Sequence, residues 1–284
     1  SGNNNQDMPF EHPDGLDGAF LSVANGDEER LLATRPMAGL AACERLEADL
    51  LFPQVRLAAP NIFPDVDASV LLSGPVVPHD LVTASLPGFL VRWQVHNRGS
   101  APVTVRCRLA WPNLVGTGGG IGEPETRVGY ADGSYRFWEA PNAHTVRPVT
   151  ADGWCGLRYG NAPSDVCAAA DGFHYVAAAG PDAALQEDPR HGSVARALTV
   201  APGATAAADM AVVWELPRFI DNLNVDRGLY WQNNFANGQE IVAKFFRDAE
   251  RIFSEAAGLA DLFAATDCPA WLRERLVNCC YPLV

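Results

Sequence analysis

The chain has 284 residues, 48% of them hydrophobic and 19% charged, with a formal net charge of -13. That is enough for one large or two modest domains with a buried core, and the composition belongs to a folded protein and excludes a disordered one. The acid excess excludes a nucleic-acid surface, which sets clustered Lys and Arg against phosphate, and it leaves neutral ligands such as sugars open.

No apolar run approaches the roughly 20 residues of a membrane-spanning helix. No basic segment followed by a short apolar core opens the chain; Ser1 to Asp7 reads as a cut end, so a removed signal stays open. The cysteines, Cys43, Cys107, Cys155, Cys167, Cys268, Cys279 and Cys280, are odd in number and irregular in spacing, without a C-x-x-C pair. One at least is unpaired within the chain, and the expectation is a reducing, cytoplasmic compartment with no zinc knuckle.

Residues 8 to 35 are turn-rich, and Asn25-Gly26 lies between the apolar runs Ala19-Phe20-Leu21 and Leu31-Leu32, a hairpin signal. Leu50-Leu51-Phe52 and Val55-Arg56-Leu57 give a second strand pair, and Asp67 to Leu72 a further strand. Phe89, Val91, Trp93 and Val95 then alternate with Leu90, Arg92, Gln94 and His96, the period of a strand with one buried and one wet face. After the polar turn Asn97 to Pro102, the residues Val103, Val105, Cys107, Leu109 and Trp111 repeat the pattern, so the two runs read as one long hairpin. A sheet with one apolar face needs a second layer, most economically another sheet. The expected fold is mainly β, an antiparallel two-sheet β-sandwich.

The loop Pro112 to Gly122 is glycine-rich from Gly116 onward, but Glu123-Pro124-Glu125 follows where a phosphate cradle would place Gly-Lys-Ser/Thr at the start of a helix. Its plain reading is a sheet-edge loop; a functional one would have it lean over a neighbouring domain. Short turn-bounded strands continue to Trp214, and Pro202-Gly203 reads as a late hairpin turn.

From Gly238 the period changes. Ile241, Phe245, Phe246, Ala249, Ile252, Phe253, Ala256 and Leu259 recur at three and four, which predicts an amphipathic helix of about five turns. A second helix follows Asp267, with Pro269 in its first turn and Trp271, Leu272, Leu276 and Cys279 on one side, a face with no evident partner. The expected division is a β-sandwich over 1–216, a linker over 217–237, and the start of a truncated helical domain over 238–284.

Two stretches carry a resemblance. Residues 76–97, VVPHDLVTASLPGFLVRWQVHN, resemble the N-terminal domain of glycoside hydrolase family 116, the non-lysosomal glucosylceramidases and bacterial β-glucosidases. Asp267-Cys268-Pro269-Ala270-Trp271-Leu272 through Asn278 and Tyr281 looks like the opening helix of that family's catalytic domain. The resemblance implies a retaining β-glycosidase that uses neither metal nor organic cofactor. Its catalytic carboxylates lie on a downstream (α/α)6 barrel, and its substrate is a β-glucoside-type carbohydrate or a glycolipid. The family's nucleophile and acid/base motifs have no counterpart here, so no catalytic, cofactor-binding or metal-binding residue is carried over.

The chain's own candidates are weighed beside that. Asp80, Glu123, Glu125 and Asp132 could be paired acids, but all sit in turns, where a carboxylate normally caps local backbone. His79 is near-neutral chemistry with no second His at ligand spacing, and a strand-end structural role is the plainer reading. His96, His144, His174 and His191 are scattered. Trp93 and Trp111 fall on inward periods, whereas Tyr135, Trp138 and Trp154 look freer to stack on a sugar. Tyr230 to Phe235 reads as a packing segment at the junction. The expected role is a non-catalytic sandwich that braces a helical catalytic domain and lends a loop to its active-site rim. The alternatives are a carbohydrate- or lipid-binding module, or an independent enzyme. Ala-, Arg- and Gly-rich wording is that of a bacterial gene.

Overall fold

The structure, a computed structural model, describes residues 19–116, 143–162, 171–218 and 225–279. In chain order it begins with β1 (Phe20–Asn25), β2 (Glu28–Leu31), β3 (Ala41–Ala42), β4 (Glu47–Leu51), β5 (Gln54–Phe63) and β6 (Val66–Ser73). A one-turn helix α1 (Leu81–Ala84) precedes β7 (Gly88–Asn97) and β8 (Val103–Ala110). Then come β9 (Thr145–Ala151), β10 (Trp154–Gly160), β11 (Phe173–Ala179), β12 (Ala184–Gln186), β13 (Ser193–Val200) and β14 (Thr205–Glu215). The helices α2 (Gly238–Arg247), α3 (Ala249–Ala264) and α4 (Ala270–Asn278) follow.

The strands form two sheets, a six-stranded one in the order β12-β13-β8-β1-β2-β3 and an eight-stranded one in the order β4-β5-β6-β7-β14-β11-β10-β9. All pairings are antiparallel except β2 with β3. A single apolar core lies between the sheets, where Val23, Val105, Cys107 and Leu109 meet Val70, Val91, Trp93, Val95, Met210 and Val212. The mainly β, two-sheet reading holds, as do the hairpins β1/β2 and β4/β5.

Two turns read from the sequence as hairpins are something else. β7 pairs with β6 and β14, while β8 pairs with β1 and β13, so the chain crosses from one sheet to the other at Asn97–Pro102. It crosses again between β13 and β14, through Pro202-Gly203. The two strands of each presumed hairpin face each other across the core. Alternation reports only which side of a strand is buried, and strands stacked across a core give the same signal as strands lying side by side.

Asn97 joins the two crossings. Its backbone N–H donates to Ala204 O at 3.0 Å and its carbonyl accepts from Gly203 N at 2.8 Å. Its side-chain Nδ2 donates to Ala101 O at 2.8 Å and Val200 O at 3.0 Å, and its Oδ1 accepts from Gly99 N at 2.9 Å. The residue is 2% exposed. Gly203 has φ +68°, in the left-handed region that glycine enters at least cost, which is how the second crossing turns tightly enough to meet it.

The outer face of the eight-stranded sheet, expected to be wet, is covered. Leu90, Trp154, Tyr175, Ala177, Ala211 and Val213 form a second apolar core with Trp231, Ile241, Val242, Phe245, Ile252 and Phe253. Thus the apolar stripe predicted from Gly238 exists, but it docks on this sheet, and the five-turn helix is broken at Asp248 into α2 and α3. Asn237 caps α2 by accepting from Glu240 N at 3.1 Å. Gly238 sits so close to β11 that a Cβ there would lie 2.3 Å from Tyr175 Cε2. Arg92 ties the layers with charge: it makes two bonds to Asp209 at 2.7 and 2.8 Å and two to Glu250 of α3 at 2.7 and 3.1 Å. Its guanidinium lies 4.3 Å from the centre of the Phe253 ring.

Replacing Asn97 by Ala leaves two carbonyls and an N–H without their partner, the Val200 carbonyl among them in a buried position. The Asn97→Ala chain is expected to lose about 2 to 4 kcal/mol of stability, measured as a lower urea midpoint with an unchanged slope.

Candidate functional site

The end of the sandwich opposite Asn97 is where the glycine-rich loop leaves the sheets. Its root is held by two asparagines. Asn113, 5% exposed, donates through Nδ2 to Gly160 O at 3.1 Å and Pro189 O at 2.9 Å, and its Oδ1 accepts from Val115 N at 3.0 Å. Asn161 Nδ2 donates to Val115 O at 3.0 Å. Gly116 has φ +89°. Residues 117–122 lie outside the described residues, as do Glu123, Glu125, Asp132, Tyr135 and Trp138.

Behind this root is an aromatic cluster. Phe89 packs edge-on to Trp111 with ring centres 5.5 Å apart and tilts against Trp214 at 5.8 Å. His174 stacks on Trp214 at 6.3 Å and lies 5.5 Å from the Tyr159 ring and 6.5 Å from Trp111. Strand pairing places it there, since His174 stands between Tyr159 of β10 and Trp214 of β14 with its side chain on the inner face. It is 1% exposed, and neither ring nitrogen has a hydrogen-bond partner among the described residues. Burial away from any countercharge pushes its pKa down to about 3. The sequence set His174 aside with the scattered histidines; its inward period on β11 was the available signal.

Beside Trp111 and Phe89 opens an apolar pocket of about 220 Å³, walled also by Phe20, Leu21, Leu32, Met37 and Leu109. It lies against the cluster and offers carbon surface, with no carboxylate in its wall.

Asp80 is a local cap, as its turn context implied. Its Oδ1 accepts from Thr83 N at 3.0 Å and its Oδ2 from Thr83 Oγ1 at 2.8 Å, at the start of α1. It also accepts from Arg251 Nη1 of α3 at 2.8 Å, so the cap doubles as a tie to the helices. These donors, the Thr83 N–H first, hold its carboxyl at about 2. It is therefore committed as an acceptor. His79 is exposed with φ +65°, a turn position.

Trp154 corrects the sequence reading. Expected to be free for stacking, it is 1% exposed within the second core, so it offers no sugar platform, and the binding-module alternative loses one of its three candidate aromatics. Trp93 is core as expected, and Trp111 packs against the first core. Cys43, Cys107, Cys155, Cys268 and Cys279 are free thiols, and burial lifts the Cys107 pKa to about 12. No group of three His, Cys, Asp or Glu side chains within reach of one ion occurs among the described residues. No described helix is long and apolar enough to cross a membrane.

The family model described as beta-glucosidase 2, glycosyl-hydrolase family 116 N-terminal, matches residues 43–159. Residues 43–159 are thus similar to a glycosyl-hydrolase family 116 N-terminal domain. The matched family 116 stretch runs from β4 to β10 and contains the Asn97 crossing, the capped turn at Asp80 and the Asn113 root. No curated protein matches the chain. Among solved structures, a protein described as a kojibiose phosphorylase, from the human microbiome, superposes with a TM-score of 0.44 at 9% identity, over 83% of this chain and 26% of that one. The chain thus spans about a quarter of that protein's length. A polysaccharide lyase matches with a TM-score of 0.36 at 9% identity, over 75% of this chain and 28% of that one. A protein described as an aldose 1-epimerase, from Escherichia coli K12, gives 0.35 at 9% identity, over 74% and 88%.

His174 sets a pH dependence. Unfolded, it takes a proton near 6.5; folded, it stays neutral down to about 3. Its contribution is fully present above 6.5 and is lost as pH falls through that window, with a slope of about 1.4 kcal/mol per pH unit from this group. Urea unfolding between pH 7 and 4 is expected to show this fall, and a His174→Phe chain, with no proton to gain, is expected to show a flatter profile.

Proposed function

We propose that this chain is the non-catalytic N-terminal part of a family 116 β-glycosidase, a sandwich that braces a helical catalytic domain and lends the loop beginning at Gly116 to the rim of its active site. On this reading residues 1–216 are the sandwich, 217–237 the linker, and α2, α3 and α4 the first helices of the (α/α)6 domain. The parent enzyme is retaining and acts on a β-glucoside-type carbohydrate or glycolipid without metal.

The observation that carries the bracing role is the second apolar core. A sheet whose outer face is sealed by Ile241, Phe245 and Ile252 is a platform on which helices are built, and Arg92 and Asp80 add charged ties to Glu250 and Arg251. The loop role is supported by its root. Asn113 and Asn161 hold residues 113–115 against two neighbouring segments, at Gly160-Asn161 and at Pro189, so the loop leaves from a fixed point. Independent catalysis lacks support, because Asp80 is occupied on both oxygens by Thr83 and Arg251, whereas glycoside hydrolysis requires a carboxyl free to act on the sugar.

The test is release of aglycone from an aryl β-glucoside, by this chain and by a longer product of the same gene that includes a helical catalytic domain. Turnover is expected only from the longer form. Turnover by the 284-residue chain would contradict the proposal and make Asp80, Glu123, Glu125 and Asp132 the residues to mutate.

A further inference from the structure

We infer that the apolar pocket of about 220 Å³ at the loop-root end of the sandwich holds the aromatic ring of a neutral small molecule. In one respect this rests on the proposed function: in a β-glycosidase the molecule is the substrate, and the part held here is its aglycone. The pocket lies where the first core stops short. Leu21 of β1 pairs with Leu109 of β8 on one side, while Leu72 of β6 and Phe89 of β7 come from the other sheet. Trp111 belongs to the same lining and stands two residues before Asn113, so the pocket adjoins the fixed root from which the loop leaves.

The lining decides what can enter. Its side chains are hydrocarbon apart from the Met37 thioether and the Trp111 indole, whose N–H is shut away from solvent. No ionisable group lines it, so a charged ligand would be desolvated without a countercharge. A sugar ring would lose water from its hydroxyls and find no side-chain partner for them. Water itself gains little, since it needs about two to four polar partners.

Size and shape narrow the occupant further. An apolar cavity of about 150 Å³ stays dry and takes a benzene, so 220 Å³ has room for a phenyl ring with a short alkyl tail. Phe89 and Trp111 already meet edge-on with ring centres 5.5 Å apart, and a third ring set against them at about 4.5 to 7 Å extends the same arrangement. An aliphatic chain fits the volume but forgoes that contact. The ring therefore goes inward, and a polar or glycosidic end stays outside.

The probe is para-propylphenol, titrated into the 284-residue chain and followed by the methyl NMR signals of Leu32, Met37 and Leu109. Saturable shifts are expected, with a Kd on the order of 0.3 mM. The anion phenylpropanoate, with a comparable ring and tail but a negative charge, is expected to bind at least about tenfold more weakly, and methyl β-glucoside not at all. Ala33→Leu and Ala19→Leu each add carbon at a half-buried position of the wall. Both are expected to weaken binding at least about tenfold with an unchanged urea midpoint. In the longer gene product, Ala33→Leu is expected to raise KM for para-propylphenyl β-glucoside about tenfold and to leave that for methyl β-glucoside unaltered. The site is overturned if about 3 mM para-propylphenol leaves those methyl signals unmoved, if n-hexanol binds more tightly, or if both filling variants bind like the parent. Binding without the KM difference would overturn the aglycone assignment. The binding arms need no turnover, so they stand or fall apart from the scaffold reading.

Discussion

The structure depends on one buried asparagine. Asn97 stands where the chain first crosses between sheets, and through Ala204, Gly203 and Val200 it also holds the second crossing. β7 and β14 are neighbours in one sheet, and β8 and β13 are neighbours in the other. The two crossings therefore run side by side, and bonding them to each other sets how the sheets lie across their common core. An unmade bond at the buried Val200 carbonyl costs about 1 to 3 kcal/mol, so the amide specifies one arrangement of layers that apolar burial alone would leave loose.

From that frame the second core follows. Fixing β7 beside β14 and β11 gathers Leu90, Ala211, Val213, Tyr175 and Trp154 on one outer face, too apolar to remain in water. The stripe of α2 and α3 covers it, and the close approach of Gly238 to Tyr175 lets the first helical turn lie directly on the sheet. Arg92, Asp209, Glu250 and Phe253 then form one cluster of charge and ring contact at the boundary of sheet and helix. The eight-stranded sheet is thus a middle layer, with a sheet on one side and helices on the other.

Much of this was legible in the sequence, and the misses have a common cause. Alternation at Phe89, Val91, Trp93 and Val95 gave the buried side of β7, and the spacing of Ile241, Phe245 and Ile252 gave the helical stripe. What periodicity lacks is any record of what lies opposite. It could not say that β7 and β8 face each other, that Leu90 on the supposedly wet side is fully buried, or that Trp154 belongs to the interior. His174 escaped for the same reason, because its aromatic surroundings come from strands distant in sequence. The family wording at residues 76–97 succeeded where periodicity stopped, and its closing Asn97 is the residue that links the two crossings.

The central claim is that the sheets and the docked helices α2 and α3 form one cooperative unit. Native-state hydrogen exchange as a function of denaturant tests it most directly, because it compares the opening free energy of each element within one sample. The account predicts that the amides of Ile241, Phe245 and Ile252 merge with those of β7 and β14 into a single global opening. Independent opening of the helices, at a free energy well below that of the sheet, would contradict it.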